Sequence, residues 1–331
     1  MSATDAVDRA GGGPTPQALS FDRVTKRFGH TLAVDDLSFA VRRREMFGLI
    51  GPDGAGKTTC IRMLCGLLHA DAGLIRVAGR DPVKEHRAVT AAVGYLSQRF
   101  SLYGDLSIDE NIAFFAEIHG VSDYAARRDR LLDITQLTPF RSRLAEQLSG
   151  GMKQKLALAC TLVHEPDIIL LDEPTTGVDP VSRREFWKLL SRFRAEGITI
   201  LMSTPYLDEA ERCTRVALLD RGHLLALDEP GRLRASLPGT LIEVVVTQPR
   251  EAKVTLADRG IESQVFGDRL HLWLPPGAET RLETLEREIS ALLNSSSIRR
   301  IQPSLEDVYI AKLSDAERQR RTAATVAVDT R

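Results

Sequence analysis

The sequence predicts an α/β fold. A mostly parallel sheet is built around a phosphate-binding loop, with an antiparallel flank, an inserted helical lobe and a small α+β domain at the end. Three observations predict it. Gly51-Pro-Asp-Gly-Ala-Gly-Lys-Thr-Thr59 fits G-x-x-x-x-G-K-[ST]. Such a loop needs glycines because its backbone N–H groups must all turn toward one anion. Short aliphatic runs then alternate with helical text, the signature of a parallel sheet with crossover helices. After Asp228-Glu-Pro-Gly-Arg the text resets to the order β-α-β-β-α-β, which suggests a ferredoxin-like unit.

The elements follow in order. Leu19 to Val41 reads as strands and turns ahead of the loop, the antiparallel flank. Met46-Phe-Gly-Leu-Ile50 is a buried strand, and Cys60-Ile-Arg-Met-Leu-Cys65 a helix. A strand, a glycine turn and a helix N-terminus place phosphates at the positive end of the helix dipole. With Gly at about 7% of residues, the number of chance matches expected in such a chain is on the order of 0.01. The motif therefore implies a bound nucleoside triphosphate. From about 100 to 165 the period turns helical, with Ile108, Ile112, Phe115 and Ile118 on one face and Ser107 with Glu110 as a capping box. Strands return at Asp167–Asp172 and Ile198–Ser203, with a charged amphipathic helix from Ser182 to Glu196 between them. In the last unit, strands are expected at Thr240–Val246, Ile261–Phe266, Arg269–Leu274 and Ile298–Ile301. Helices are expected near Glu251–Leu256 and along Leu282, Leu285, Ile289 and Leu292. The organisation is a disordered leader over 1–17, a nucleotide-binding unit over 18–236, an accessory domain over 237–313 and a flexible tail over 314–331.

Composition narrows the function. Net charge is −1 over 331 residues, so no basic field calls for nucleic acid. No apolar stretch approaches a membrane span, and the polar, Gly/Pro-rich start is not a signal peptide. Cys60, Cys65, Cys160 and Cys213 show no C-x-x-C spacing and read as reduced structural thiols. The 7 histidines show no metal-ligand pattern.

Two further strings complete a site. Asp172 ends four consecutive aliphatic residues, where a carboxylate would hold Mg²⁺ on the phosphates. Glu173 follows, aimed differently by strand alternation and so free to take a proton from water. Leu148-Ser-Gly-Gly-Met-Lys-Gln-Lys155 places Ser149, Gly150 and Gly151 at a helix start, a second anion site. Because the helical lobe separates the two glycine sites along the chain, one nucleotide is best held between one copy's loop and a second copy's Ser-Gly-Gly.

With both strings in place the chain resembles the ATP-binding subunit of an ABC transporter, over about Leu19 to Asp228. That resemblance implies an ABC-type ATPase core of the P-loop class, an ATP-sandwich dimer with a second ATPase subunit, and coupling to a separate integral-membrane permease at the cytoplasmic face. ATP and Mg²⁺ are the implied ligands. Gly51, Pro52, Asp53, Gly54, Ala55, Gly56, Lys57, Thr58 and Thr59 take the nucleotide, and Thr58, Gln98 and Asp172 the metal. Glu173, Gln98 and Lys57 take the catalytic roles. Phe28 matches the aromatic that stacks on adenine, and Asp179 the loop that crosses the dimer interface. Ser149, Gly150, Gly151 and Gln154 reach the partner's ATP. Asp53 stands where relatives often carry Asn. Permease contact is expected from the groove between Gln98 and the lobe around Phe100–Asp109, Tyr103 included. The string Pro303-Ser-Leu-Glu-Asp-Val-Tyr-Ile resembles the tail of exporter ATPases for drugs, antibiotics and lipid-like molecules.

One position departs from the family. Pro205 stands where relatives carry a histidine that contacts the γ-phosphate and orders the catalytic glutamate. Proline has neither a side-chain donor nor a backbone N–H. Either Glu173 suffices and hydrolysis is slow, or this chain is the degenerate half of an asymmetric pair, as in the first cassette of tandem-cassette exporter ATPases. A soluble ABC ATPase acting on ribosomes or DNA, and a regulatory subunit that binds ATP without turnover, are the alternatives.

Overall fold

A computed structural model of the chain describes residues 17–98, 102–259, 261–274, 282–293 and 297–329. The leader expected over 1–17 lies outside them except for Gln17, and so does Phe100. The chain divides into two compact units, Met1–Asp228 and Glu229–Arg331.

In the first unit β1 (Gln17–Phe28) and β2 (Thr31–Arg42) pair antiparallel, and β1 also pairs with β4 (Ala72–Val77) in a three-stranded sheet. The larger sheet has β3 (Met46–Ile50), β5 (Val93–Leu96), β6 (Ile168–Asp172), β7 (Thr199–Thr204), β8 (Arg215–Asp220) and β9 (His223–Asp228), in the order β5-β6-β7-β3-β8-β9. It is parallel except at β8–β9. All residues of β3 and β6 are buried, as continuous aliphatic runs require in a sheet covered on both faces. The rings of Phe21 and Phe39 stack at 4.6 Å, and Phe39 and Phe47 at 5.5 Å, binding the small sheet to the central strand. Fully burying one such ring contributes about 1.5–3 kcal/mol.

The crossovers are α1 (Lys57–Leu64), α2 (His86–Ala92) and the lobe helices α3 (Ile108–Ile118), α4 (Ala125–Thr135) and α5 (Gly150–Leu162). After them come α6 (Pro180–Ala195) and α7 (Leu207–Ala210). The capping box is formed: Glu110 N–H donates to Ser107 Oγ at 3.2 Å, and Ser107 N–H to the Glu110 carboxylate at 2.7 Å. The buried face of α3 differs from the expected one. Ile108, Asn111, Ile112 and Ala116 are buried, while Ile118 is 60% exposed. The reason is Asn111, whose amide donates to the carbonyls of Tyr103, Leu106 and Ser107 and whose Oδ1 accepts from Tyr103 N–H, so the loop before the helix turns the face by one step.

The second unit holds α8 (Pro230–Ala235), β10 (Thr240–Val245), α9 (Pro249–Ala257), β11 (Ser263–Phe266), β12 (Arg269–Leu274), α10 (Leu282–Leu293), β13 (Ser297–Ile301) and α11 (Leu305–Asp329). Its sheet runs β11-β12-β10-β13 with every pair antiparallel, the ferredoxin-like order. Ile242, Val244, Leu256, Leu270, Leu272 and Ile289 fill its core. The unit begins at Glu229 rather than at the expected 237, taking in α8. Much of the stretch expected as a flexible tail is helix, because from Leu305 to Asp329 the text is rich in Ala and free of Gly and Pro.

Candidate functional site

The phosphate cradle is dictated by what its glycines exclude. A Cβ on Gly51 would collide with the Leu219 carbonyl. Gly56, the N-cap of α1, has φ +99, which places it where L side chains are strained. Pro52, Asp53 and Gly54 form the exposed outer rim, Ala55 is buried beneath it, and Thr59 is half-buried in the first turn of α1. Lys57 is 4% exposed and folds back over the loop. Its ammonium donates to Gly51 O at 2.8 Å and Pro52 O at 3.0 Å, and pairs with Glu173 Oε1 at 3.1 Å.

Asp172 ends β6 and Glu173 lies just beyond it; their carboxylates diverge because the backbone turns into the left-handed region at Glu173, not by the strand alternation expected from the sequence. Asp172 Oδ1 accepts from Thr58 Oγ1 at 2.9 Å and from Ser203 Oγ at 2.7 Å. Glu173 leaves the strand at φ +50 and turns to Lys57. Its other oxygen accepts from Gln98 Nε2 at 3.0 Å. Gln98 is thus brought to Glu173 rather than directly onto Asp172. The negative Asp172 is felt around it: burial first, then that charge, pushes the Cys65 thiol and the Tyr95 phenol each up to about 12. A hydroxyl and a carboxylate side by side are the oxygen donors that Mg²⁺ takes, so the residues present fit that ion. Among the described residues no group of three or more His, Cys, Asp or Glu could hold a metal alone. The remaining ligands would then come from phosphate and water.

These groups sit together because β6, β7 and β3 are neighbours in a parallel sheet, where ligands bind beyond the carboxyl ends of strands. Ser203 is a site residue that sequence reasoning missed. Its hydroxyl donates to Asp172 and, like its carbonyl, accepts from Glu173 N–H, at 3.0 and 3.2 Å. A hydroxyl ending the strand beside Asp172 was the available signal, but only strand order reveals the adjacency. Pro205 follows β7 directly, one residue beyond Thr204, whose carbonyl accepts from Gly51 N–H at 3.4 Å. Phe28, at the end of β1, is 47% exposed, with the Lys26 ammonium 5.4 Å from its ring centre.

A second cluster forms at the starts of α5 and α6. Ser149 caps α5 by accepting from Met152 N–H at 3.3 Å. Asp179 caps α6, accepting from Val181 N–H at 3.0 Å and Ser182 N–H at 2.9 Å. Hydrogen bonding from the Ser182 side chain, and then from its N–H, holds the Asp179 carboxyl below its usual range. Gly151 packs on this same serine, and a Cβ there would collide with its side chain. Gln154 lies one turn along α5, half-buried. The structure therefore joins Ser149, Gly150, Gly151 and Asp179 in one patch. All four cysteines are free and buried, as expected.

Comparison with known proteins agrees with this geometry. Residues 34–176 match the family model described as ABC transporter. The Probable multidrug ABC transporter ATP-binding protein YbhF of Escherichia coli is 47% identical over 238 residues, 71% of this chain, which spans 41% of that relative's length. The Nod factor export ATP-binding protein I of Paraburkholderia xenovorans is 36% identical over 91% of this chain and 98% of its own. The Daunorubicin resistance ATP-binding protein DrrA3 of Streptomyces coeruleorubidus is 33% identical over 92% of this chain and 99% of its own. Among solved structures, an ATP binding subunit of an ABC transporter superposes with TM-score 0.60 at 29% identity, over 66% of this chain and 92% of its own.

Proposed function

The chain belongs to the family of ABC transporter ATP-binding proteins, and we propose that it binds and hydrolyses ATP to power export through a separate membrane permease. The observation that carries this reading is the meeting of Lys57, Thr58, Gln98, Asp172 and Glu173 at the ends of β3 and β6. Lys57 and the N–H groups of the loop take the phosphates. Thr58 and Asp172 hold Mg²⁺, which when bound neutralises charge on the phosphate oxygens. Gln98 orients the Glu173 carboxylate, which takes a proton from the attacking water as ADP and phosphate separate. Phe28 offers an exposed ring for the adenine.

The active form is a dimer with nucleotide between one subunit's loop and the other's Ser149-Gly150-Gly151. The patch joining those residues to Asp179 supports this reading. The permease sits against Gln98 and the lobe residues 102–109, where Tyr103 is 45% exposed and packs edge-on to Phe114 at 4.5 Å. No helix among the described residues is long and apolar enough to cross a membrane, which fits a subunit that works at the membrane's cytoplasmic face. Export is the direction that the printed name of the Nod factor relative describes for that protein.

Pro205 favours a second, narrower reading, in which this chain is the degenerate half of an asymmetric pair. Mg²⁺-dependent turnover by the purified chain, beside Pro205→His and Glu173→Gln, separates the two. Robust wild-type turnover lost in Glu173→Gln supports a self-sufficient homodimer. Tight ATP binding with negligible turnover, rescued by Pro205→His, supports the asymmetric pair. A chain that binds no ATP overturns both.

A further inference from the structure

Glu209 is fully buried on the single turn of α7, four residues beyond Pro205. A buried carboxylate is costly unless its oxygens are bonded. Here each oxygen takes one buried hydroxyl: Thr175 Oγ1 donates to Oε1 at 2.6 Å and Thr204 Oγ1 to Oε2 at 2.7 Å. Thr175 stands two residues after Glu173, and Thr204 ends β7. Glu209 therefore bridges the ends of the two strands that carry the catalytic carboxylates and Pro205. Thr204 Oγ1 also accepts from Tyr206 N–H at 3.1 Å, so the backbone is pinned on both sides of the proline.

Among the described residues the charge has one counterpart. Arg183 Nε lies 3.7 Å from Glu209 Oε1, and the guanidinium stands 4.8 Å over the Tyr206 ring. Arg183 is on the first turn of α6, whose cap is Asp179. A structural plug would not need this chemistry, since apolar residues of similar volume replace buried ion pairs at little or no cost in stability. What the arrangement supplies is a fixed separation between two strand ends.

We propose that Glu209 is a positioning residue. It holds Glu173 at its reach toward Lys57 by clamping Thr175 and Thr204, and through Arg183 it ties that reach to the helix begun by the Asp179 loop. The proposal rests on the ATP-binding reading above and adds to it a residue that acts through Glu173.

The test is a double-mutant cycle on the full chain, read as Mg·ATP affinity by titration calorimetry, which needs no turnover. The four proteins are wild type, Glu173→Gln, Glu209→Gln and the double variant. The Glu173→Gln effect on Kd should differ at least about 3-fold between the two backgrounds, as coupled residues do. Thr204→Val should reproduce the Glu209→Gln behaviour and Thr204→Ser should restore the wild-type value, which keeps the test informative if Glu209→Gln folds poorly. A merely structural tie would lower the melting temperature equally with either residue at 173 and leave the Kd effects multiplicative. Multiplicative effects in a wild type that binds ATP overturn the role of Glu209 alone. A wild type that binds no ATP overturns the reading beneath it, and the proposal with it.

Discussion

Replacing Glu173 by Gln should tighten ATP binding while abolishing turnover, and the structure sets the size of the first effect. A lysine ammonium has three donors. Lys57 directs two of them to Gly51 O at 2.8 Å and Pro52 O at 3.0 Å, and its ammonium forms an ion pair with Glu173 Oε1 at 3.1 Å. A phosphate oxygen that uses this lysine must displace one of those partners. The strongest competitor is Glu173, because both side chains are nearly dry, at 3% and 7% exposure, and the bond is charge-assisted. The Lys57 ammonium stays charged beside the amide, so Glu173→Gln removes only the attraction between two ions, on the order of 1 kcal/mol, which is roughly 5-fold in Kd. Losing the negative charge beside the γ-phosphate acts in the same direction. Turnover should fall by about 10²–10⁴-fold, the usual contribution of a general base. Calorimetric titration with Mg·ATP and a phosphate-release assay read the two effects separately. Equal or weaker ATP binding in Glu173→Gln, with turnover retained, would refute both the competition and the assignment of the base.

Gly150→Ala should fold with a melting temperature equal to or above that of the wild type and bind ATP normally, yet lose ATP-dependent dimerisation in light scattering, whereas Gly151→Ala should lower stability by about 1–3 kcal/mol through its clash with Ser182. Phe28→Ala should weaken ATP binding by about 1–3 kcal/mol, the range for base–aromatic stacking, and shift GTP binding similarly; an unchanged Kd removes Phe28 from the site. Burial pushes the thiols of Cys60, Cys65 and Cys213 up to about 12 from 9.0, so above pH 9 the unfolded chain holds fewer protons than the folded one. Stability should then fall with rising pH by on the order of 1 kcal/mol per thiol per unit, and a flat melting temperature from pH 8 to 10 would contradict it.

How much of this was legible in the sequence depended on whether the signal was local. The phosphate loop, the capping box and the strand ending in Asp172 and Glu173 are contiguous strings whose chemistry follows from spacing. The ferredoxin-like order could be read because its strands are short runs rich in aliphatic and aromatic residues and Gly or Pro punctuates most of the turns between elements. The edge strands β4 and β5 were not legible. Ala72-Gly-Leu-Ile-Arg-Val77 is half exposed and becomes a strand only by pairing with β1, and Val93-Gly-Tyr-Leu96 only by pairing with β6. The face of α3 misled because Ile118 satisfies the helical period, while polar Asn111 is what the loop buries. Ser203 and Glu209 lie 31 and 34 residues from the partners they hold, so no spacing rule reaches them. Tertiary adjacency of strand ends, rather than any motif, assembles that part of the site.

The two glycines of the Ser-Gly-Gly string separate what the chain needs for itself from what it offers a partner. Gly151 has an internal reason: the side chain of Ser182 fills the space a Cβ would take, and the N–H of that serine donates to Asp179, the cap of α6. Gly150 has none. A Cβ there would meet nothing within 4 Å, and its backbone lies outside the positive-φ region. A glycine in a helix costs about 0.8–1 kcal/mol against alanine, so the fold gains nothing from it. A bare backbone at the exposed N-terminal end of α5, beside the serine cap and the Asp179 cap, is what close approach of a phosphate from outside the chain demands. In the dimer proposed above, that demand comes from a second subunit's nucleotide and is independent of Pro205. A subunit whose own site turns over slowly would still complete its partner's.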